Sequence, residues 1–370
     1  MKKHFVLLVA AGLIGALACN KNSVHEDVNP ISEGPSGLVT LQIQSDPATK
    51  VADGSMKDRR ISSVQVLVFN ATGIKETDRY ETLSTPTDGG TYDLRFTART
   101  GSKTIYAVVN SPRLSEKSLS EFEKHLSDLK ENTPTSLVMS GKTTLNVVEY
   151  DKNKNTSAVP QSVTVNVKRL ASMIQLEKVT VNFNGTMLQG GTFTIQEIYA
   201  KNVVGRAPLG VLADGAPMAI ADEDHTNTAF WYNPMTKTSG CPEVTYDIFS
   251  LPCPTSGTAT SVGHNLFVYP NKTSGDSDSN TFSQRKTRLV IKAHVKVAES
   301  ATTTAVDEDT YYTFDLPVLQ ANYIYQITNI NISMLGKKDD TTDEKTLVGL
   351  IAPTINVDPW TKTVQLSYEM

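Results

Sequence analysis

The sequence predicts an all-β protein with one short helix, folded as two β-sandwich domains of Greek-key type. Three observations predict it. Most segments alternate apolar and polar residues with period two; these runs have strand length and are rich in β-branched and aromatic residues; and polar turns with Gly, Asn, Asp and Pro divide them. Many short strands separated by turns argue for antiparallel sandwiches rather than parallel βαβ units. At 370 residues the chain has room for about two such cores.

The chain opens on "MKKH", a short basic stretch, followed by "FVLLVAAGLIGALA", which is too short to span a bilayer as a stable helix. Small Ala18 then precedes Cys19, the pattern of a secretory signal peptide. The run Ala16-Leu17-Ala18-Cys19 resembles a bacterial lipobox, which makes Cys19 the expected lipid-bearing residue and residues 1–19 the signal peptide. By the same resemblance, Asn20 directs the lipoprotein to the outer membrane. Residues 20–37 are polar with Gly and Pro and read as a tether.

An N-terminal sandwich is expected over 38–166. Its strands are "LVTLQIQS" (38–45), "SSVQVLVFN" (62–70), "TYDLRFTA" (91–98) and "KTIYAVVN" (103–110). One segment has a different period. "SLSEFEKHLSDLK" spaces Leu119, Phe122, Leu126 and Leu129 as a helix would, and Ser118 with Glu121 forms a capping box, so a helix is predicted across it with His125 on its surface. The polar run "EYDKNKNTSAVPQS" marks the boundary, and 167–370 forms the second sandwich. Its strands are "SMIQLEKVTVNF", "TFTIQEIYAKNVV", "TRLVIKAHVKV", "YYTFDLPV" and "NYIYQITNINISM". The sequence closes on "TVQLSYEM", in which Val364, Leu366, Tyr368 and Met370 share one face of a strand.

Chemistry is sparse. There is no nucleophile elbow, dinucleotide-binding glycine motif or P-loop, and the six histidines are scattered singly, so no catalytic site, cofactor or metal site is predicted. "ADEDH" (221–225) reads as solvated loop charge, and "DSDSN" (276–280) lacks the glycine and distant glutamate of a calcium loop. A net charge of −4 without a basic footprint excludes a general nucleic-acid binder. Cys241 and Cys253 either form a disulfide, closing a short loop at a gain of about 3 kcal/mol, or stay as two thiols.

Two distant stretches share one pattern. Residues 39–44 read Val-Thr-Leu-Gln-Ile-Gln and residues 364–369 read Val-Gln-Leu-Ser-Tyr-Glu. The first stretch is followed by "DPATKVADGSMKDRRI", a polar segment carrying Lys50, Lys57, Arg59 and Arg60, the kind of place where proteases cut. A cut there would detach Val39, Leu41 and Ile43 from the body and leave a groove between open strand edges. The C-terminal strand of a second copy has the pattern to fill it by β-augmentation. Such a contact is head-to-tail and repeats into a filament.

In order and spacing, further motifs resemble the FimA-type major fimbrillins, type V pilus subunits of Bacteroidales. They are "KTIYAVVNSPRLSEKSLSEFEKHLSDL…TSLVMSGK" with its V-x-N-like end, "VKRLASMIQLEKV" (167–179), "ANYIYQITNINI" with Asn322, Tyr325 and Ile327, and "INVDPW" near the end. The resemblance implies two transthyretin-like sandwiches in a surface lipoprotein precursor lipidated at Cys19. It also implies a trypsin-like protease that removes the first strand (38–45), a donor segment at 352–370 from the neighbouring copy, and tip and anchor subunits as further partners. The maturation cut is placed at Lys50, Arg59 or Arg60: the dibasic pair is chemically attractive, whereas the family's usual interval points nearer Lys50. A usable donor strand favours a stalk subunit. The alternatives are an adhesive tip subunit and a carbohydrate-binding surface lipoprotein using Trp231-Tyr232 as a platform.

Overall fold

The alternating runs fold as strands. The computed structural model describes residues 24–26, 35–45, 59–88, 90–133, 135–151, 153–154, 159–201, 203–210, 231–232, 245–253, 256–271, 287–300, 304–339 and 363–369. The first half holds β1 (Val24–Glu26), β2 (Ser36–Ser45), β3 (Ile61–Asn70), β4 (Lys75–Thr87), β5 (Thr91–Arg99), β6 (Gly101–Val109), helix α1 (Leu119–Phe122), β7 (Leu126–Asp128), β8 (Met139–Val147) and β9 (Gln161–Arg169). The second half holds β10 (Ser172–Asn182), β11 (Thr192–Lys201), β12 (Val203–Val204), β13 (Arg206–Pro208), β14 (Trp231–Tyr232), β15 (Thr245–Cys253), β16 (Ser256–Val268), β17 (Arg288–Val297), β18 (Val306–Asp315), β19 (Ile324–Ile332) and β20 (Thr363–Glu369). The protein is all-β with one short helix among the described residues, as the sequence predicts.

Strands of the first half run in the order β1-β4-β3-β6-β8-β9-β2-β5. Those of the second form two sheets, β16-β10-β19-β20 and β15-β11-β17-β18. The pairing is not wholly antiparallel, contrary to the sequence expectation: β2 with β9, β10 with β19 and β19 with β20 run parallel. Parallel neighbours need long connections, and each of these pairs joins strands well separated in sequence. β9 runs on past residue 166 to Arg169, and the chain passes to β10 through Leu170 and Ala171.

Two apolar cores account for the near-continuous runs "VLVF" and "IYAVV". β3 sends Val64, Val66 and Val68 into one core and Leu67 and Phe69 into the other. β6 divides Ile105, Ala107 and Val109 from Tyr106 and Val108 in the same way. Strands buried on both faces lose the alternation that half-buried strands keep. The larger core continues from Phe69, Tyr106 and Phe122 into the sheets of the second half. Tyr106 and Phe122 stack with ring centroids 4.6 Å apart.

The predicted helix is a single turn. Its capping box forms, with Ser118 Oγ accepting from the Glu121 amide (3.2 Å) and Glu121 Oε2 accepting from the Ser118 amide (3.3 Å). Leu126 and Leu129 do not continue it. The chain extends through β7 and pairs with β13, and a second capping box at Asp128 and Glu131 opens a 3-10 turn over Leu129–Glu131. A short isolated helix is marginal, and here tertiary partners outweigh it. The Leu129 amide donates to the Gly205 carbonyl (2.8 Å), and buried Ser127 Oγ lies 2.8 Å from Tyr269 Oη. His125 is half-buried rather than a free surface group, with Nδ1 on Glu116.

Candidate functional site

β2 alternates strictly because only one of its faces is buried. Gly37, Val39, Leu41, Ile43 and Ser45 point inward, the three apolar ones fully buried, and the residues between them face outward. Val39, Leu41 and Ile43 pack with Ile61, Val66, Phe96 and Val165 in the smaller core. Burial of side chains of this size stabilises by about 1.5–3 kcal/mol each.

The neighbours of β2 give it its importance. It pairs antiparallel with β5, Val39 opposite Phe96, Leu41 opposite Leu94 and Ile43 opposite Tyr92. On its other side it runs parallel to β9, Val39 opposite Gln161 and Ser45 opposite Val167. β5 ends the strand order, so among the described residues its sheet partner is β2. Loss of β2 would therefore strip β5 of its ladder and open one edge of β9 together, and unpaired ladder groups of this kind template another strand.

Both ends of β2 are fastened. At its start, the Thr100 amide donates to the Pro35 carbonyl (3.1 Å) and the Tyr150 amide to the Ser36 carbonyl (3.0 Å). A Cβ at Gly37 would lie 2.3 Å from the Val148 carbonyl oxygen, so only glycine lets the two backbones approach so closely. At its end, the Ser45 amide donates to the Gly90 carbonyl (2.7 Å), and Arg59 Nε reaches Ser45 Oγ at 3.5 Å. Gly90 has φ +73°, and a Cβ there would meet Ser45 Oγ at 2.3 Å. The inward row of β2 thus has three apolar side chains between two tight ends.

Beside the groove, Tyr92 of β5 donates to Glu81, which also holds Arg79 at 2.7 Å. Burial, then the Glu81 hydrogen bond and charge, push the Tyr92 phenol up to about 12.

The structure brings some predicted residues together and not others. Val39, Leu41 and Ile43 form the buried row, and Arg59 and Arg60 lie half-buried where β3 begins. Cys19, Lys50, Cys241, Met370 and the side chains of Cys253, Val364, Leu366 and Tyr368 lie outside the described residues, as do those of Trp231 and Tyr232. The backbone of β20 runs parallel to β19, Tyr325 opposite Val364 and Ile327 opposite Leu366. Sequence reasoning missed Gly37 and Gly90, which shape the groove's ends, and Asn110, which holds the start of β3. Asn110 alone had a signal, its place in the V-x-N-like motif.

Those motifs are architectural. Arg169 of "VKRLAS" is almost wholly buried and donates from Nη1 to Asn322 Oδ1 of the N-x-x-Y motif at 3.0 Å, although 153 residues separate them. Tyr325 Oη of the same motif donates to the Val318 carbonyl at 2.9 Å.

Residues 39–184 match the family model described as major fimbrial subunit protein (FimA). Over this segment, somewhat under half of the chain, the sequence is similar to that family. The segment begins within β2 and ends just beyond β10. A search of curated protein sequences found no match. Among solved structures, the fold is similar to that of a candidate cell adhesion protein from Parabacteroides distasonis, at 16% identity and TM-score 0.58, covering 90% of this chain and 98% of that one. It is similar also to a candidate cell adhesion protein from Bacteroides eggerthii, at 17% identity and TM-score 0.56, covering 91% and 99%. A fimbrilin from Porphyromonas gingivalis aligns at 16% identity and TM-score 0.53, covering 90% and 98%. At these identities the structures establish a shared fold.

Proposed function

We propose that this chain is a structural stalk subunit of a cell-surface fimbrium, serving adhesion by building a filament rather than by catalysis. It is exported as a precursor lipidated at Cys19 and anchored to the outer membrane. A trypsin-like protease cuts between β2 and β3, with Lys50, Arg59 and Arg60 as candidates, and frees β2. The Val364, Leu366, Tyr368 and Met370 face of a neighbouring copy then fills the groove, and tip and anchor subunits complete the fibre. The domains of this subunit are the two sandwiches, with the groove in the first and the donor at the end of the second.

One observation carries the reading: β2 is an inner strand, the sheet partner of β5 among the described residues, and not an edge that a protein can shed without replacement. Its amphipathic pattern recurs in β20, at the end of another sheet. The test is to treat purified protein starting at Asn20 with trypsin and resolve the products by electrophoresis without boiling. Ladders of regular spacing are expected. Monomers that persist after cleavage between Ser45 and Ile61 has been confirmed by mass would sink the proposal.

A further inference from the structure

The segment between β2 and β3 offers a trypsin-like enzyme four basic residues, Lys50, Lys57, Arg59 and Arg60, and the dibasic pair is the obvious target. The geometry at Arg60 argues otherwise. Asn110, at the end of β6, sits in the left-handed region at φ 60°, a conformation asparagine tolerates better than most residues. From there its side chain straddles the Arg60–Ile61 bond. Nδ2 donates to the Arg60 carbonyl at 2.7 Å and to the Leu137 carbonyl at 2.9 Å. Oδ1 accepts from the Ser62 amide at 2.8 Å and from the Ser63 amide at 3.4 Å. The Asn110 amide in turn donates to the Ser63 carbonyl at 3.0 Å. Immediately after the bond, Ile61 is fully buried and paired with Thr87.

A serine protease needs the carbonyl before the scissile bond in its oxyanion hole, with the flanking backbone extended against its own strands. At Arg60 that carbonyl is already a hydrogen-bond acceptor, the amide two residues on is already a donor, and the residue between is inside the core. The Arg60 side chain is also engaged, with Nε 3.5 Å from Asp88 Oδ1.

We infer that Asn110 locks the Arg60–Ile61 bond against a trypsin-like maturation protease, so that processing stops short of β3. This rests on the proteolytic maturation proposed above and narrows it. A protease that accepts arginine alone is left with Arg59, and one that accepts lysine has Lys50 and Lys57. The lock protects the strand that shares its core with the groove: a body trimmed to Ile61 would have lost both arginines, including Arg59, which reaches the end of β2.

The experiment is a trypsin time course on the folded chain starting at Asn20, with intact mass and N-terminal sequencing of the resistant body. In the wild type the body should begin at Val51, Asp58 or Arg60 and not at Ile61. Asn110→Ala should release a body beginning at Ile61 about tenfold faster, because cleavage of a locally opened bond follows the population of the open form. Asn110→Asp keeps the acceptor for Ser62 and Ser63 and loses both donors; it supplies the same comparison should the alanine variant not fold, and a far-ultraviolet spectrum and melting curve verify folding. A wild-type body starting at Ile61 as readily as at the other positions overturns the inference. So does an Ile61 start that appears at the wild-type rate in both variants. Protection of Arg60 without ladder formation leaves the lock standing and counts only against strand exchange.

Discussion

Strands β2 and β20 carry almost the same pattern and occupy opposite situations. β2 lies between β5 and β9, buries three apolar side chains and is fastened at both ends. β20 ends its sheet and is hydrogen-bonded along β19. An alternating strand specifies a buried face but not a partner, so one sequence pattern serves as an inner strand in one place and as an edge strand in another.

Deletion is the strongest way to break that comparison. Removing residues 36–45 should abolish cooperative unfolding and yield no soluble monomer, whereas removing 363–370 should leave a folded monomer that accepts but does not donate. Near-ultraviolet dichroism and size exclusion check both; a well-folded product of the first deletion would mean that β5 does not depend on β2. Single truncations come next. Leu41→Ala should cost about 2–5 kcal/mol in denaturant unfolding, and Leu366→Ala distinctly less, because an end strand leaves more surface to solvent. Equal costs would erase the distinction between inner and edge strand.

Gly37→Val tests the tight end of the groove and should destabilise by about 1–3 kcal/mol through overpacking against the Val148 carbonyl. A neutral result would show that the backbones separate freely there. The smallest effect concerns Tyr92. Its folded value of about 12 lies above its ordinary 10.0, so its contribution is fully present below about pH 10 and is lost as pH rises from 10 towards 12. Tyr92→Phe should flatten thermal stability over that interval. An unchanged slope would assign the alkaline loss to the other buried tyrosines, among them Tyr106 and Tyr325, whose values burial also raises.

Sequence periodicity made β2 and β5 plain, because each buries one face. β4 escaped it: the buried positions of "KETDRYETLSTPT" are Thr77, Asp78 and Glu81, satisfied by partners rather than by apolar packing, as where Gln65 Nε2 donates to Asp78 Oδ1 at 2.7 Å. Helical spacing over 119–129 misled for a related reason, since Leu126 and Leu129 are placed by β13 and Gly205, which lie far along the chain. The parallel pairs are equally non-local. Asn110 was legible as a motif, yet its partners Arg60 and Ser62 come from the start of β3, so its role could be read only from coordinates.

The short passage through Leu170 and Ala171 has a mechanical consequence. β9 flanks the groove, and β10, just beyond that passage, flanks β19, which in turn flanks β20. A pull applied between β2 and β19 is therefore transmitted along two parallel ladders, β2–β9 and β10–β19, joined by two residues. Ladders drawn lengthwise fail in shear, many hydrogen bonds at once, whereas a peeled edge gives way one bond at a time. With Arg169 anchored to Asn322 at the joint, tension is carried by strands that resist it collectively.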